Sequence, residues 1–276
     1  MKRIVTVQDI SCVGKCSLTV ALPIISAMGI EAAILPTAVL STHTMFSGFT
    51  VKDLTDQIRP ITEHWNKEGI TFDAMYTGYL GSFEQIDLMK EMAEAFCKDG
   101  NLLFVDPAMA DNGKLYPAFD EAFAKYMATL CAKADIIVPN ITEACFMLGE
   151  EYKEKYDEAY AKMLLKKLTD LGAKIAILTG VSFEEGTTGV MGYDSVNDEY
   201  YHYTHKKQKR SYHGTGDIFS STCLGGIVRG LSWKDAARIA ADYTSESIRL
   251  TIEDPKGNDY GVNFEEAVPF LLEKIK

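Results

Sequence analysis

The stretch His213-Gly214-Thr215-Gly216-Asp217-Ile218-Phe219-Ser220-Ser221 combines residue types suited to chemistry on an anion. Gly214 and Gly216 lack a Cβ, so the backbone can turn tightly and come close to a ligand. The small apolar residues that follow have helical spacing as far as Arg229-Gly230. The free N–H groups at the start of such a helix would point into the glycine turn and favour negative charge there. Asp217 would repel a phosphate, so it fits better as a proton acceptor beside the developing charge. Phosphoryl transfer to a hydroxyl is the chemistry such a set would serve, with Asp217 as base and Gly214, Thr215 and Gly216 as the anion hole. On its own, a Gly-x-Gly-Asp before a helix is more often an ordinary tight turn. The weight therefore falls on the rest of the chain.

Two further groups carry carboxylates. In Asn140-Ile141-Thr142-Glu143, Asn140 can cap a helix with Glu143 as its capping-box partner. The same Glu143 could instead hold a hydrated Mg²⁺ against nucleotide phosphates. Asp106-Pro107-Ala108-Met109-Ala110-Asp111 places two carboxylates in one loop, and the proline keeps Asp106 extended. That loop is a solvated turn or a source of acidic groups for a cation.

The elements that must position these groups alternate between strand and helix. Ile4–Val7 reads as a strand ending at Gln8-Asp9, followed by a helix to Met28 with Gly29 as its stop. Ala32–Leu35 closes at Pro36, Met75–Thr77 follows, and Ser82-Phe83-Glu84-Gln85 opens a helix to Lys98 with a capping box. Leu102–Val105, Ile136–Val138 and Ile175–Leu178 are apolar strands stopped by Asp106-Pro107, Pro139-Asn140 and Thr179-Gly180. Such strands between amphipathic helices predict an α/β fold with a mostly parallel sheet covered on both faces. Gly189–Tyr193 and Glu199–Lys206 predict a small antiparallel edge hairpin. Ligands of parallel sheets bind beyond the carboxyl ends of the strands. That rule collects Asp9, Thr37 to Thr44, Gly78-Tyr79, Asp106, Asn140 to Glu143 and Thr179-Gly180. The basic run Lys206–Arg210 before the glycine turn reads equally as a solvated surface or a nucleotide-covering loop.

The bulk properties bound the answer. The 276 residues are 47% hydrophobic and 24% charged, as in a globular chain, and are read as one domain over 1–276. A net charge of −11 argues against nucleic acid as a partner. No apolar run suits a bilayer, and the N-terminus reads as a strand rather than a signal peptide. The six cysteines lack paired metal spacing and read as reduced, buried or half-buried thiols of a cytoplasmic protein.

Taken together, the His213–Asp217 turn, Asn140–Glu143, Asp106-Pro107 and Thr77-Gly78-Tyr79-Leu80-Gly81 resemble the ribokinase-like kinases in order and spacing. Leu40-Ser41-Thr42-His43-Thr44 narrows the resemblance to the pyridoxal/pyridoxamine kinase branch over nearly the whole chain. It implies a three-layer fold and an ATP-dependent kinase acting on the 5′-hydroxymethyl group of a vitamin B6 vitamer. It implies Asp217 as base, with Asp106 and Glu143 serving Mg²⁺ and phosphate. Asp111, Asn140 and Thr179 would lie on the ATP side, and His43, Thr44 and Tyr79 around the pyridine ring. A homodimer is implied as well, and a monovalent cation is a further candidate cofactor. Pyridoxal kinases usually carry serine after the glutamine that ends the first strand, whereas Gln8 is followed here by Asp9. Either Asp9 or Ser11 would then meet the ring nitrogen. That departure keeps a hydroxymethylpyrimidine kinase in play, with a non-catalytic nucleotide-binding protein as a third reading.

Overall fold

The computed structural model describes every residue except Asp99 and Asn258. In chain order the first elements are β1 (Arg3–Ser11), α1 (Leu18–Ala27), β2 (Glu31–Leu40), β3 (Val51–Asp53), α2 (Thr55–Lys67) and β4 (Ala74–Thr77). Next come α3 (Phe83–Phe96), β5 (Leu102–Val105), β6 (Ala110–Asp111), β7 (Lys114–Leu115), α4 (Glu121–Cys131), β8 (Ile136–Ile137) and α5 (Ile141–Leu148). The chain ends with α6 (Glu158–Asp170), β9 (Ile175–Val181), β10 (Thr187–Asp194), β11 (Glu199–Lys206), α7 (Thr215–Val228), α8 (Trp233–Glu253) and α9 (Phe264–Lys274). These form two compact units, one of residues 1–76 with 207–276 and the other of residues 77–206. The architecture is α/β, with mostly parallel strands, helices packed around them and a small antiparallel hairpin.

In the first unit the strand order is β4-β1-β2-β3. β1 and β2 are parallel, and β3 returns antiparallel along β2. Ile4, Val5 and Val7 are fully buried, as a strand covered on both faces requires. Helix α1 lies on β1 and β2, and it also meets α7, which packs on α8.

β1 and β2 both run further than the sequence suggests. β1 continues to Ser11 through an irregularity, where Thr37 and Ala38 of β2 stand opposite Asp9. β2 does not close at Pro36, which pairs with Gln8. The proline is tolerated because β3 pairs only with Ala38 to Leu40, so its missing N–H deprives no partner strand. β3 and α2 carry little apolar signal: β3 exposes all three residues, and α2 buries only Ile58.

In the second unit the order is β11-β10-β9-β8-β5, parallel from β5 to β9 and antiparallel beyond. β10 and β11 are the expected hairpin, joined by residues 195–198. β9 passes through Thr179-Gly180 instead of stopping there. Gly180 (φ 69°) is the extra residue of a bulge, because Val181 pairs with Gly189 while Thr179 pairs with Val190. Ser82 caps α3 by accepting from the Gln85 amide, but the Gln85 side chain takes the Gly81 amide. The predicted capping box is therefore half formed, and α3 ends at Phe96 rather than Lys98. Among the described residues, no helix is long and apolar enough to cross a membrane.

Candidate active site

In the first unit the glycine turn forms as the sequence suggests, with its two glycines doing different things. Gly214 is the N-cap of α7 in the left-handed region (φ 78°, ψ 0°). A Cβ there would lie 1.9 Å from the Lys15 carbonyl oxygen, so only glycine fits. Gly216 is the second helical residue and needs no special backbone. A Cβ on it would meet nothing within 4 Å. The N-cap glycine supplies no side-chain cap, so the amides of Thr215 and Gly216 have no acceptor within the helix. Thr215 Oγ1 donates to the Tyr212 carbonyl at 3.1 Å. Asp217 sits half-buried in that first turn, where the helix dipole favours a carboxylate.

Asp9 and Ser11 lie within the C-terminal end of β1, at 6% and 2% exposure, rather than in the loop after it. Ser11 Oγ donates to Asp9 Oδ2 at 3.2 Å, and the Ser17 side chain also bonds Asp9. Burial lifts the Asp9 carboxyl above its usual value, and the two hydroxyls pull it part of the way back. The Cys16 thiol is pushed up to about 12, first by burial and then by the charges of Asp217 and Asp9. Asp9, Ser11, Cys16, Ser17 and Asp217 thus form one electrostatic cluster.

His43 is buried, and its Nδ1 accepts from the Met45 amide at 3.1 Å, which leaves the proton of the neutral ring on Nε2. Its ring lies 4.9 Å from that of His213, and burial followed by His213 lowers its pKa. Thr44, beside it in sequence, is exposed. The basic run is exposed at Lys206, Lys207, Lys209 and Arg210, and Arg210 pairs with Asp259 at 2.7 Å.

In the second unit, Asn140 and Glu143 make the full capping box of α5. Asn140 Oδ1 accepts from the Glu143 amide, and Glu143 Oε2 from the Asn140 amide, each at 2.9 Å. The box also holds the loop after β5. Glu143 Oε1 accepts from the Met109 amide at 3.1 Å, and Asn140 Nδ2 donates to the Ala110 carbonyl at 2.8 Å. Thr142, within the collected Asn140 to Glu143 stretch, accepts the Gly113 amide through its hydroxyl. Thr179 joins the same corner through its amide, which donates to Pro139 O at 3.0 Å. Asp106 is 6% exposed and Glu143 3%. Burial, and then the charge of Asp106, raise Glu143 well above the usual glutamate range. Two buried carboxylates that resist sharing negative charge suit a cation. Magnesium needs only one or two carboxylates when phosphates and waters complete its shell, so Asp106 and Glu143 fit it in that manner. Among the described residues, no set of three or more His, Cys, Asp or Glu converges on a metal.

The remaining predicted residues are looser. Asp111 is exposed, and its carboxylate accepts from the Asn112 amide and side chain. Tyr79 is half-buried, with its ring centroid 5.4 Å from that of Phe119.

A profile of the phosphomethylpyrimidine kinases matches residues 22–261. The chain belongs to that family. It is a kinase of the pyridoxal/phosphomethylpyrimidine kinase type, with the ribokinase-like fold. A Bacteroides thetaiotaomicron protein assigned to the phosphomethylpyrimidine kinases, crystallised with pyridoxal, is 38% identical. The alignment covers 98% of this chain and 95% of that one, with a TM-score of 0.93. Pyridoxal kinase from Lactobacillus plantarum is 29% identical, covering 99% and 97% of the two chains, with a TM-score of 0.91. The hydroxymethylpyrimidine/phosphomethylpyrimidine kinase of Aquifex aeolicus is 24% identical, over 82% of this chain and 85% of that one.

Proposed function

We propose that this kinase transfers the γ-phosphoryl group of ATP to the 5′-hydroxymethyl group of a vitamin B6 vitamer. The observation that carries the reading is the α7 turn. Its first amides lack a side-chain cap, with a half-buried carboxylate one residue beyond, and in this reading they serve as the anion hole. In this reading Asp217 takes the hydroxyl proton, and the amides of Thr215 and Gly216 bear the charge on the transferred group. Asp106 and Glu143 are the residues that would hold magnesium, which would supply positive charge to the phosphate oxygens. Asp111, Asn140 and Thr179 flank the nucleotide. Asn140 does so through what its capping bonds leave free, because both polar atoms of its side chain already hold backbone groups.

The ring is assigned to His43, Thr44, Tyr79 and the Asp9–Ser11 pair, with Asp9 on the ring nitrogen and Ser11 held against it. Support for a pyridine substrate comes from the relative crystallised with pyridoxal and from the pyridoxal kinase of similar fold. The family profile and the Aquifex relative favour a second reading, phosphorylation of hydroxymethylpyrimidine. In either reading we take residues 1–276 as one kinase domain that works as a homodimer in the cytoplasm. Six unpaired thiols are consistent with that compartment.

A coupled ADP-release assay separates the readings. Pyridoxal, pyridoxamine, pyridoxine and hydroxymethylpyrimidine are compared side by side, with and without a monovalent cation. The proposal expects the highest kcat/KM with one of the three vitamers. A clear preference for hydroxymethylpyrimidine would transfer the chain to the second reading, and no turnover with any of the four would end both.

A further inference from the structure

The loop after β1 contributes a residue that the reading above does not use. Lys15 is wedged between two glycines. Its carbonyl oxygen fills the place of a Gly214 Cβ, at 1.9 Å, and its own Cβ lies 2.5 Å from where a Gly261 Cβ would stand. Either glycine would have to give way before it could accept a side chain. The lysine side chain is 20% exposed. Its Nζ reaches Glu265 Oε2 at 2.8 Å and Asn263 Oδ1 at 3.1 Å, and lies 5.7 Å from the centre of the Phe264 ring.

Those partners are themselves fixed. The Asn263 amide donates to Thr251 Oγ1 at 2.7 Å, and Asn263 Nδ2 to Asp254 Oδ2 at 3.0 Å. The buried Tyr243 hydroxyl donates to the Phe264 carbonyl at 2.8 Å. On the other side of Lys15, the Thr19 hydroxyl lies within hydrogen-bond distance of the Gly14 and Cys16 carbonyls. The lysine thus ties a braced loop to a braced helix end, with the catalytic turn resting on its backbone.

We propose that Lys15 is a positioning residue: its carbonyl is the stop beneath Gly214, and its ammonium, fastened to Asn263 and Glu265, sets the height of the Gly214–Asp217 turn. The inference rests on the reading of that turn as the reaction centre. A lysine–carboxylate pair whose carboxylate stands in solvent, as Glu265 does, contributes little to stability. A displacement of the turn, by contrast, is felt directly in the rate, since a shift of about 1 Å can cost on the order of a hundred-fold.

The test compares wild type, Lys15→Met and Lys15→Arg by amide hydrogen exchange over peptides covering residues 212–219, and by steady-state kinetics. Lys15→Met keeps the buried stem and removes the charge. Exchange in the turn should quicken while the melting temperature stays near that of wild type. With the preferred hydroxymethyl substrate, kcat should fall about ten-fold with its KM unchanged. Lys15→Arg should restore most of both. Unaltered exchange in Lys15→Met would overturn the proposal, as would a loss of rate that Lys15→Arg does not repair. Glu265→Gln, on an exposed side chain, gives the same readout at smaller amplitude if Lys15→Met does not fold. If wild type phosphorylates none of the candidate substrates, the functional reading fails, while the exchange comparison still decides whether Lys15 holds the turn.

Discussion

Asp217 and Asp9 are both carboxylates near one thiol, yet their surroundings ask opposite things of them. Asp217 is half-buried at a helix N-terminus that favours its charge. Replacing it with asparagine keeps its shape but not its ability to take a proton. General-base assistance contributes about 10²–10⁴ in rate, so kcat of Asp217→Asn should fall by that order. Calorimetric affinities for ATP and the acceptor should stay close to wild type, and a folded variant with normal kcat would remove Asp217 from the mechanism. Asp9 is held where burial resists ionisation, so the folded chain keeps its proton to higher pH than the unfolded chain does. The contribution of this group is intact at acid pH, below the usual aspartate value of 3.8. It is lost as pH rises through the elevated folded value. Asp9→Asn should therefore raise the melting temperature at pH 7–8, with the gain fading toward pH 4, and should weaken the vitamer while sparing ATP. An equal effect on both substrates would make Asp9 structural.

At the level of elements, the two glycines of the α7 turn can be told apart by one methyl group each. Gly214→Ala meets a left-handed backbone, costing about 1–2 kcal/mol by itself, and adds a collision with the Lys15 carbonyl. It should lower both the melting temperature and the activity. Gly216→Ala meets open space and improves helix propensity, so stability should hold or rise. If that space belongs to the phosphate, the KM for ATP should increase nonetheless; an unchanged KM would place the phosphate elsewhere. The same turn shows what the sequence can reveal. Gly-Thr-Gly-Asp, the Asn140–Glu143 cap and the apolar strands Leu102–Val105 and Ile4–Val7 announce themselves, because local pattern and local structure agree. Strand ends are less legible: β1, β2 and β9 run on through Asp9, Pro36 and Gly180, where a bulge or an unpaired side of the ladder absorbs a residue that usually stops a strand. Lys15 and Ser17 leave no local trace. The first matters through glycines about 200 and 246 positions away along the chain, and the second through an unusual backbone (φ 50°) beside Asp9.

For the molecule as a whole, the edge of the first unit is the feature to test. β3 ends that strand order with all three residues exposed, Val51 at 55%, and Met45, Phe46 and Phe49 are exposed in the loop before it. An exposed edge strand with apolar side chains beside it invites pairing with another chain, although Lys52 and Asp53 put charge on this one. The proposed homodimer should elute with twice the mass of the 30.6 kDa chain. Val51→Lys should shift it toward monomer without loss of fold, and a wild-type monomer at micromolar concentration would refute the assembly. The thiols offer a way to watch the site work. Cys131 and Cys223 are buried and pushed up by burial, and Cys16 and Cys97 are lifted to about 12. Cys12, by contrast, is exposed and immediately follows Ser11. A maleimide dye at neutral pH should therefore settle on Cys12 of the unaltered chain. It would place a fluorescent reporter one residue from the Asp9–Ser11 pair, where its emission could follow acceptor entry in real time.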